Sequence, residues 1–148
     1  MTTYTPAVDG RIIALAHYAA RALLEGVLTR HDVTFHQNVV LRAVMLAGES
    51  TGRDELVADV TGSLKAGPSL VRDVIGELTA ARLLEEDPAQ PSQLRLTDAG
   101  RRLYESTAAE TAEISARLYA GVPAADLAVA GRVLTLVTQR ADAELAAM

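Results

Sequence analysis

The chain has 148 residues, the size of one ordinary domain, and 49% of them are hydrophobic. It contains one Phe, no Trp and no Cys, which excludes disulfides and thiolate metal sites and leaves Ala, Leu and Val to build the core. The formal net charge of -5 argues against nonspecific adhesion to nucleic acid, although it permits a local basic surface.

Four helices are predicted in the first half of the sequence. Apolar residues spaced three and four apart form one stripe between Arg11 and Leu28, which predicts a long amphipathic helix. Thr34 is a suitable N-cap for a second helix, and Gly48 suits the left-handed residue that follows a helix. The segments "STGRDELVADVTGSL" and "GPSLVRDVIGELTAARLL" predict two shorter helices. The tight polar turn between them makes the pair a helix-turn-helix.

The second half of the sequence predicts a hairpin and two long helices. Leu83–Asp87 and Gln93–Leu96 have the pattern of short strands around a turn that contains proline. Thr97 is the predicted N-cap of a helix that runs to Tyr119, and a last helix covers Ala124–Ala147 after a Gly-Val-Pro break. The predicted fold is therefore mainly α with a small β-hairpin wing.

This order of elements, with the phrases "HDVTFHQNVVLRAV", "LVRDVIGELTAARLL" and "LRLTDAGRRL", resembles the MarR family of winged helix-turn-helix regulators. The most specific piece places Leu96, Thr97 and Gly100 where the family has a leucine-threonine-x-x-glycine passage. The resemblance implies one winged helix-turn-helix domain over residues 1–148. Residues 10–34 and 104–148 would then form the N- and C-terminal dimerisation helices, and residues 35–103 the DNA-binding lobe. It also implies a homodimer that binds palindromic double-stranded DNA, which a small phenolic or other aromatic ligand often releases.

The sequence departs from the family pattern at two places. The family carries an arginine near the wing tip, whereas "EEDPAQPSQ" has no basic residue and the nearest one is Arg95. Arg82 stands where the family has glycine between the recognition helix and the first wing strand. Either Arg82 bears a left-handed conformation, at a cost of about 1 kcal/mol, or the helix ends differently.

The helical period predicts which residues of the recognition helix face outward. Val71, Val74, Ile75 and Leu78 point inward, and the outer surface receives Ser69, Arg72, Asp73, Gly76 and Glu77. Arg72 is the only cation of this outer set and could bind a guanine edge, with Ser69 on a phosphate or base. A solvated face of mixed charge is the alternative interpretation.

The predicted DNA-binding set extends from this helix to the wing: Arg53, Lys65, Ser69, Arg72, Gln90, Gln93 and Arg95. The surface offers little net positive charge to DNA, because the segment Arg53–Arg82 holds four basic and five acidic residues, a net charge of -1. Shallow salt dependence is therefore expected. Glu85, Glu86 and Asp87 further predict that the wing is a poor DNA anchor.

Aromatic and imidazole side chains suggest a ligand site. His17, Tyr18, His36 and Tyr104 could line a cleft for a phenol or aromatic acid, or the tyrosines could fill a dimer interface instead. His31 and Asp32 could join the other histidines in a metal cluster, but their spacing matches no tight metal motif, so no metal ligand is expected.

No motif of nucleophilic, phosphate-binding or paired-carboxylate catalysis is present, so the sequence predicts neither an enzyme nor a cofactor. No apolar run approaches the roughly 20 residues of a membrane span, and the N-terminus lacks the order of a secretory signal, which predicts a cytoplasmic protein without a membrane partner. The predicted function is that of a ligand-responsive repressor. The alternative is a winged-helix dimer with weakened DNA binding that serves as a small-molecule or protein-binding module.

Overall fold

The computed structural model describes residues 5–148, which contain six helices and one three-stranded sheet. The elements run α1 (Gly10–Arg30), α2 (Phe35–Leu46), β1 (Ser50–Gly52), α3 (Arg53–Leu64), α4 (Pro68–Ala80), β2 (Leu84–Glu86), β3 (Gln93–Leu96), α5 (Asp98–Leu118) and α6 (Ala124–Ala147). The predicted fold class, a mainly helical winged helix-turn-helix, is confirmed. The expectation about a secretory signal rests partly on residues 1–4, which lie outside the described residues.

The chain divides into two compact units, one ending at Glu113 and the other covering Ile114–Met148. The first unit contains α1 to α4, the sheet and most of α5. The second unit contains the end of α5 and the whole of α6. The division into dimerisation helices and a DNA-binding lobe stays a prediction.

Strand β1 is the one element that the sequence pattern does not predict. Its three residues lie in a segment that resembles the turn before α3, and they form a strand because they pair with β3. Ser50 lies opposite Arg95 and Gly52 opposite Gln93, in the antiparallel order β1-β3-β2. The wing hairpin is thus anchored on one side by the residues that lead into the helix-turn-helix.

The ends of the helices follow the predicted signals. Thr34 and Gln37 form a capping box, in which each side chain accepts the other residue's backbone N–H at 3.1 Å. Gly48 follows α2 with a φ of 87°, and Pro68 occupies the first turn of α4. Thr97 N-caps α5 by accepting the N–H of Gly100 at 3.0 Å. These caps fix where each helix begins and therefore which residues share a face.

One core joins α2, α3 and α4 to the sheet. Its buried members are all aliphatic, as the aromatic-poor composition predicts: Val40, Leu41, Val44, Leu56, Val57, Val60, Val71, Val74, Ile75, Leu78, Leu84, Leu94 and Leu96. Leu103 and Tyr104 of α5 pack against this cluster from its edge. Burial of these side chains holds the recognition helix α4 against the rest of the lobe.

The junction between α4, the wing and α5 explains the leucine-threonine-x-x-glycine passage. Arg82 has a φ of 60°, so of the two alternatives the structure shows the strained one. The Thr97 hydroxyl donates to the Arg82 carbonyl at 2.7 Å and so helps to hold this turn. A Cβ atom at Gly100 would lie 2.1 Å from the carbonyl oxygen of Leu83, a distance that no real Cβ contact tolerates. Only glycine permits α5 to approach the wing this closely.

Gly100→Ala should therefore lower the free energy of unfolding by about 2–3 kcal/mol, because the backbone of Leu83 must move to admit the methyl group. Urea unfolding of the variant and the parent measures this difference. Gly62→Ala is the matched control, since Gly62 is also helical but has no atom within 4 Å of the added Cβ. The control should be neutral or stabilising by up to about 1 kcal/mol. Equal effects at the two glycines would contradict this role for Gly100.

Helices α1 and α6 each expose an apolar surface. On α1, Leu15 and Leu23 are 50% and 44% exposed. On α6 no residue is buried, and the exposed apolar side chains are Leu127, Val129, Leu134, Leu136, Val137 and Leu145. Exposed apolar surfaces of this kind are typical of interfaces with other molecules.

Helix α1 is also long and apolar enough to cross a membrane, by length and composition alone. Arg21 and Glu25 interrupt its apolar sequence, and a single helix of this kind near the N-terminus is weak evidence for a membrane span. Packing helices of water-soluble proteins meet the same criterion. An Arg21–Glu25 ion pair lies on this helix at 3.2 Å, which suits a helix that packs through one face and meets water on the other.

Candidate DNA interface

Helix α4, the predicted recognition helix, presents the polar face that its period predicts. Ser69, Arg72, Asp73, Gly76 and Glu77 are exposed. Val71, Val74, Ile75 and Leu78 are at most 6% exposed and belong to the core. In the part of the chain that the structure describes, Arg72 forms neither an ion pair nor a hydrogen bond through its guanidinium. This cation is free to meet an external acceptor.

The N-terminus of α4 lies beside Arg72 and has no side-chain cap. The N-cap residue is Gly67, which contributes no side-chain hydrogen bond, and Pro68 at the first position has no N–H to donate. The first-turn N–H groups of Ser69 and Leu70 therefore remain available at the positive end of the helix dipole. Phosphate oxygens suit such an end, and the exposed Ser69 hydroxyl adds a further donor.

One of the two acids on this face is held by α2. The Gln37 amide donates to the Glu77 carboxylate at 2.9 Å while its oxygen completes the capping box with Thr34. Sequence spacing gives no signal for this contact, because 40 residues separate the two side chains. Glu77 is thus positioned toward α2, whereas Asp73 remains beside Arg72 on the outer face.

Two of the predicted DNA-binding cations lie in the wing region, and each is paired with a wing acid. The Arg53 guanidinium contacts Glu86 at 3.1 Å, and the Arg95 guanidinium contacts Glu85 at 2.9 Å. Glu85 and Arg95 are direct cross-strand neighbours, so strand register produces the second pair. We call these contacts the two wing ion pairs.

The remaining predicted DNA-binding residues surround the wing and the turn of the helix-turn-helix. Gln90 is exposed in the wing turn, whereas Gln93 is half-buried beside Gly52. Lys65 ends α3 in a left-handed conformation with a φ of 57° and donates to the carbonyl of Gly62. The structure therefore distributes the predicted set over α4, the turn before it and the sheet, rather than gathering it at one point.

Arg101 at the base of α5 is held by two acids. Its guanidinium donates to Glu49 and, at 3.2 Å, to Asp98. The hydrogen bond and charge of Glu49, with a smaller contribution from Asp98, raise the pKa of Arg101. Glu49 itself has a φ of 72°, so the ion pair fixes a strained loop residue just before β1. These contacts tie Arg101 and the base of α5 to the loop before β1.

The four ligand-binding candidates do not form one cleft in this chain. His17 and Tyr18 are exposed on α1 with ring centroids 6.0 Å apart, and His36 contacts Phe35 at 5.7 Å. Tyr104 is half-buried against the core of the lobe. Over residues 5–148 the aromatic contacts join sequence neighbours only. Their shared role in ligand binding stays a prediction.

A cleft of about 380 Å³ lies instead where α1 turns into α2. Its lining is Glu25, Thr29, Asp32, Val33, Thr34 and Phe35. The Arg21 guanidinium covers one face of the Phe35 ring, 3.9 Å from its centroid. None of the four candidate residues lines this cleft, and the sequence offers no motif that would have identified it.

His31 has a carboxylate partner from α5 rather than a second histidine. Its Nε2 atom lies 3.1 Å from Glu110, which also accepts from Arg30 at 2.8 Å. The hydrogen bonds from His31 and Arg30 lower the pKa of Glu110. Within residues 5–148, no three His, Asp or Glu side chains are placed to hold a metal ion.

This contact predicts an acid-dependent contribution to stability. The pKa of Glu110 is lowered in the folded chain from its ordinary value of 4.5. The carboxylate therefore contributes its full stabilisation of the fold at pH values above 4.5. The contribution is lost as the pH falls through the lowered pKa. Glu110→Gln should therefore flatten the decline in unfolding free energy below pH 4.5, which urea unfolding between pH 3.5 and 6 measures. Identical slopes in the parent and the variant would show that Glu110 is not responsible.

The order of helices, the helix-turn-helix pair and the three-stranded wing together define a winged helix-turn-helix. More specifically, the chain has the winged-helix fold of the MarR family, which solved structures show by superposition. No protein-family model and no curated protein sequence matches the chain.

Three of these solved structures illustrate the likeness. CouR from Rhodococcus jostii RHA1, bound to p-coumaroyl-CoA, has a TM-score of 0.75 and 17% identity over 87% of this chain and 90% of that one. BpsR of Bordetella bronchiseptica, a protein whose DNA binding is regulated by 6-hydroxynicotinic acid, has a TM-score of 0.69 and 25% identity over 87% of this chain and 97% of that one. A MarR variant from E. coli in complex with operator DNA has a TM-score of 0.70 and 19% identity over 86% and 91%.

Proposed function

We propose that this protein is a DNA-binding transcriptional regulator whose recognition helix is α4. The observation that carries the proposal is the exposed face of α4, where an unpaired Arg72 lies next to an uncapped helix N-terminus at Ser69. A similar fold in complex with operator DNA supports the same use of the scaffold. Neighbouring structures of this fold are regulators rather than enzymes, which supports a non-catalytic role.

In this proposal α4 supplies most of the sequence recognition. Arg72 would bind a guanine edge in the major groove, and the α4 N-terminus with Ser69 would bind a phosphate. The wing residues Gln90 and Gln93 would contribute little, because the adjoining acids repel phosphate. Arg53 and Arg95 would contribute only as far as DNA replaces their carboxylate partners.

The working form would be a homodimer. The exposed apolar side chains of α1 and of α6 support this, since each surface needs a cover and a second copy supplies the same apolar chemistry. A dimer with a twofold axis would place two recognition helices about 34 Å apart, one turn of DNA, on a palindromic operator. A cytoplasmic repressor that blocks transcription by occupying such an operator is the corresponding biological role.

A small aromatic or phenolic ligand would control binding. Two proteins of similar structure support this, since CouR is bound to the aromatic compound p-coumaroyl-CoA and 6-hydroxynicotinic acid regulates DNA binding by BpsR. The candidate binding residues here remain His17, Tyr18, His36 and Tyr104, which a second copy would have to complete. A ligand releases DNA only by favouring the non-binding spacing of the two helices, so a tenfold loss of affinity requires a preference of about 1.4 kcal/mol.

A second candidate function is a winged-helix dimer that has lost strong DNA binding and binds a small molecule or protein. The observation that favours it is the pairing of Arg53 and Arg95 with wing acids, which leaves Arg72 as the unpaired cation of the predicted arginine set over residues 5–148.

Selection of bound fragments from the source genome tests the proposed function. The unmodified protein should enrich one inverted-repeat motif at both low and moderate salt, with half-sites about 10 base pairs apart. Enrichment without any shared motif, lost entirely at moderate salt, would instead favour the second candidate function.

A further inference from the structure

The two wing ion pairs occupy the cations that the wing would offer to DNA. Arg53 is bound by Glu86, and Arg95 is bound by Glu85. We propose that these two carboxylates act as internal phosphate mimics, so that operator phosphates must displace them before Arg53 and Arg95 can bind DNA. This inference rests on the proposed function and adds a built-in restraint to it.

The geometry of the strands assigns a separate arginine to each acid. Successive strand residues point to opposite sides of a sheet, so Glu85 and Glu86 leave β2 in opposite directions. Glu85 therefore meets its cross-strand partner Arg95, while Glu86 reaches Arg53 at the start of α3. The N–H of Arg53 also donates to the Ser92 carbonyl of the wing at 2.9 Å, which fixes this residue against the hairpin. The Glu85–Arg95 pair therefore follows from the register of β2 and β3, and the Glu86–Arg53 pair follows from the position of Arg53 against the hairpin. Neither pair is merely the result of a local excess of acids.

The chemistry makes exchange with phosphate possible. A carboxylate offers an arginine the same charged oxygen acceptors as a phosphate group. Both pairs are also accessible, with side-chain exposures of 38% and 55% for Arg53 and Glu86 and of 42% and 47% for Arg95 and Glu85. Exposed pairs are weak, so each should reduce DNA affinity by about fivefold or less rather than prevent binding. The restraint consequently tunes the affinity for DNA.

Asp87 provides a matched control for this idea. It lies in the same acidic run, but its carboxylate accepts the N–H of Ala89 within the turn, and over residues 5–148 it forms no ion pair with an arginine. Asp87→Asn therefore removes one negative charge from the wing without releasing a cation. Any difference between Asp87→Asn and Glu86→Gln isolates the release of Arg53 from general repulsion.

The experiment is a binding titration of the full chain on the selected operator at two salt concentrations. Glu86→Gln should strengthen binding by about fivefold at low salt and steepen the salt dependence of log K by about 0.9, the value for one added phosphate contact. Asp87→Asn should strengthen binding by less than about twofold, with little change in slope. In an Arg53→Ala background, the gain from Glu86→Gln should fall to that of Asp87→Asn.

Equal gains from Glu86→Gln with and without Arg53 would overturn the inference, because the acid would then act only through its charge. Equal gains from Glu86→Gln and Asp87→Asn would overturn it as well. These results leave the proposed function intact as long as Arg72→Ala still weakens operator binding. If the unmodified chain binds no operator and Arg72→Ala changes nothing, the proposed function fails and this inference fails with it.

Discussion

Arg72→Ala should weaken operator binding by about 1–3 kcal/mol for each half-site, a loss of about 5- to 150-fold that a symmetric dimer incurs twice. The reason is that Arg72 is exposed on the face of α4 opposite the core and forms no contact within residues 5–148 that would compete with DNA. Renewed fragment selection with the variant should also show relaxed preference at one base position in each half-site. Titration on the parent's operator measures the affinity.

Two further variants separate base recognition from charge. Arg42→Ala removes an exposed arginine of α2 that likewise has no ion pair, and it should change affinity by less than about 0.5 kcal/mol. Arg72→Lys keeps the charge but loses the planar fork that binds guanine, so it should lose specificity more than affinity. If Arg42→Ala and Arg72→Ala weaken binding equally, α4 acts only as a source of charge.

The double variant Leu127→Glu, Leu134→Glu should convert the proposed dimer into monomers. These leucines repeat at seven residues on α6 and are 37% and 40% exposed, so they lie on one side of an otherwise unburied helix. A dimer interface there would have to bury the new carboxylates without partners, at several kcal/mol per protomer. Sedimentation at micromolar concentrations should show monomers of about half the parent's mass, and operator binding should be lost.

The control for this prediction adds charge elsewhere on the same helix. Gln139→Glu places one carboxylate on a polar position of α6, and its assembly should match that of the parent. Loss of the dimer in this control would show that any added charge disrupts α6. A parent that is itself monomeric at all concentrations would contradict the proposed dimer.

The fold was largely predictable because its signals are local. Thr34, Pro68 and Thr97 fixed helix starts through caps and first-turn chemistry, and the 3.6-residue period separated the buried from the exposed side of α4. Strand β1 was not predictable in this way. Its residues carry no strand pattern, and only the neighbouring β3 makes them a strand.

The candidate site was less predictable because its contacts join distant residues. The pairing of Arg53 with Glu86 spans 33 residues, and that of Gln37 with Glu77 spans 40. The sequence showed that acids balance the basic residues of this surface, but only the structure shows which cations are paired with them. The contact of Glu85 with Arg95 was within reach of sequence reasoning, since the predicted strands and their register place these residues opposite each other.

In the proposed complex, α4 lies in the major groove of the DNA. The chain has no cysteine, so a single introduced thiol can measure this directly. Gly76→Cys places a thiol on the outer face of α4, where an added side chain meets no neighbour, and Gly131→Cys places one on α6 as the control. Each thiol is labelled with an iron chelate that cleaves nearby DNA, and the cleavage of the selected operator is mapped. Two localised cleavage sites are expected from the α4 label, about 34 Å apart, and none from the α6 label. Bound DNA left uncut by the α4 label, or cut equally by both labels, would contradict the placement of α4 in the DNA.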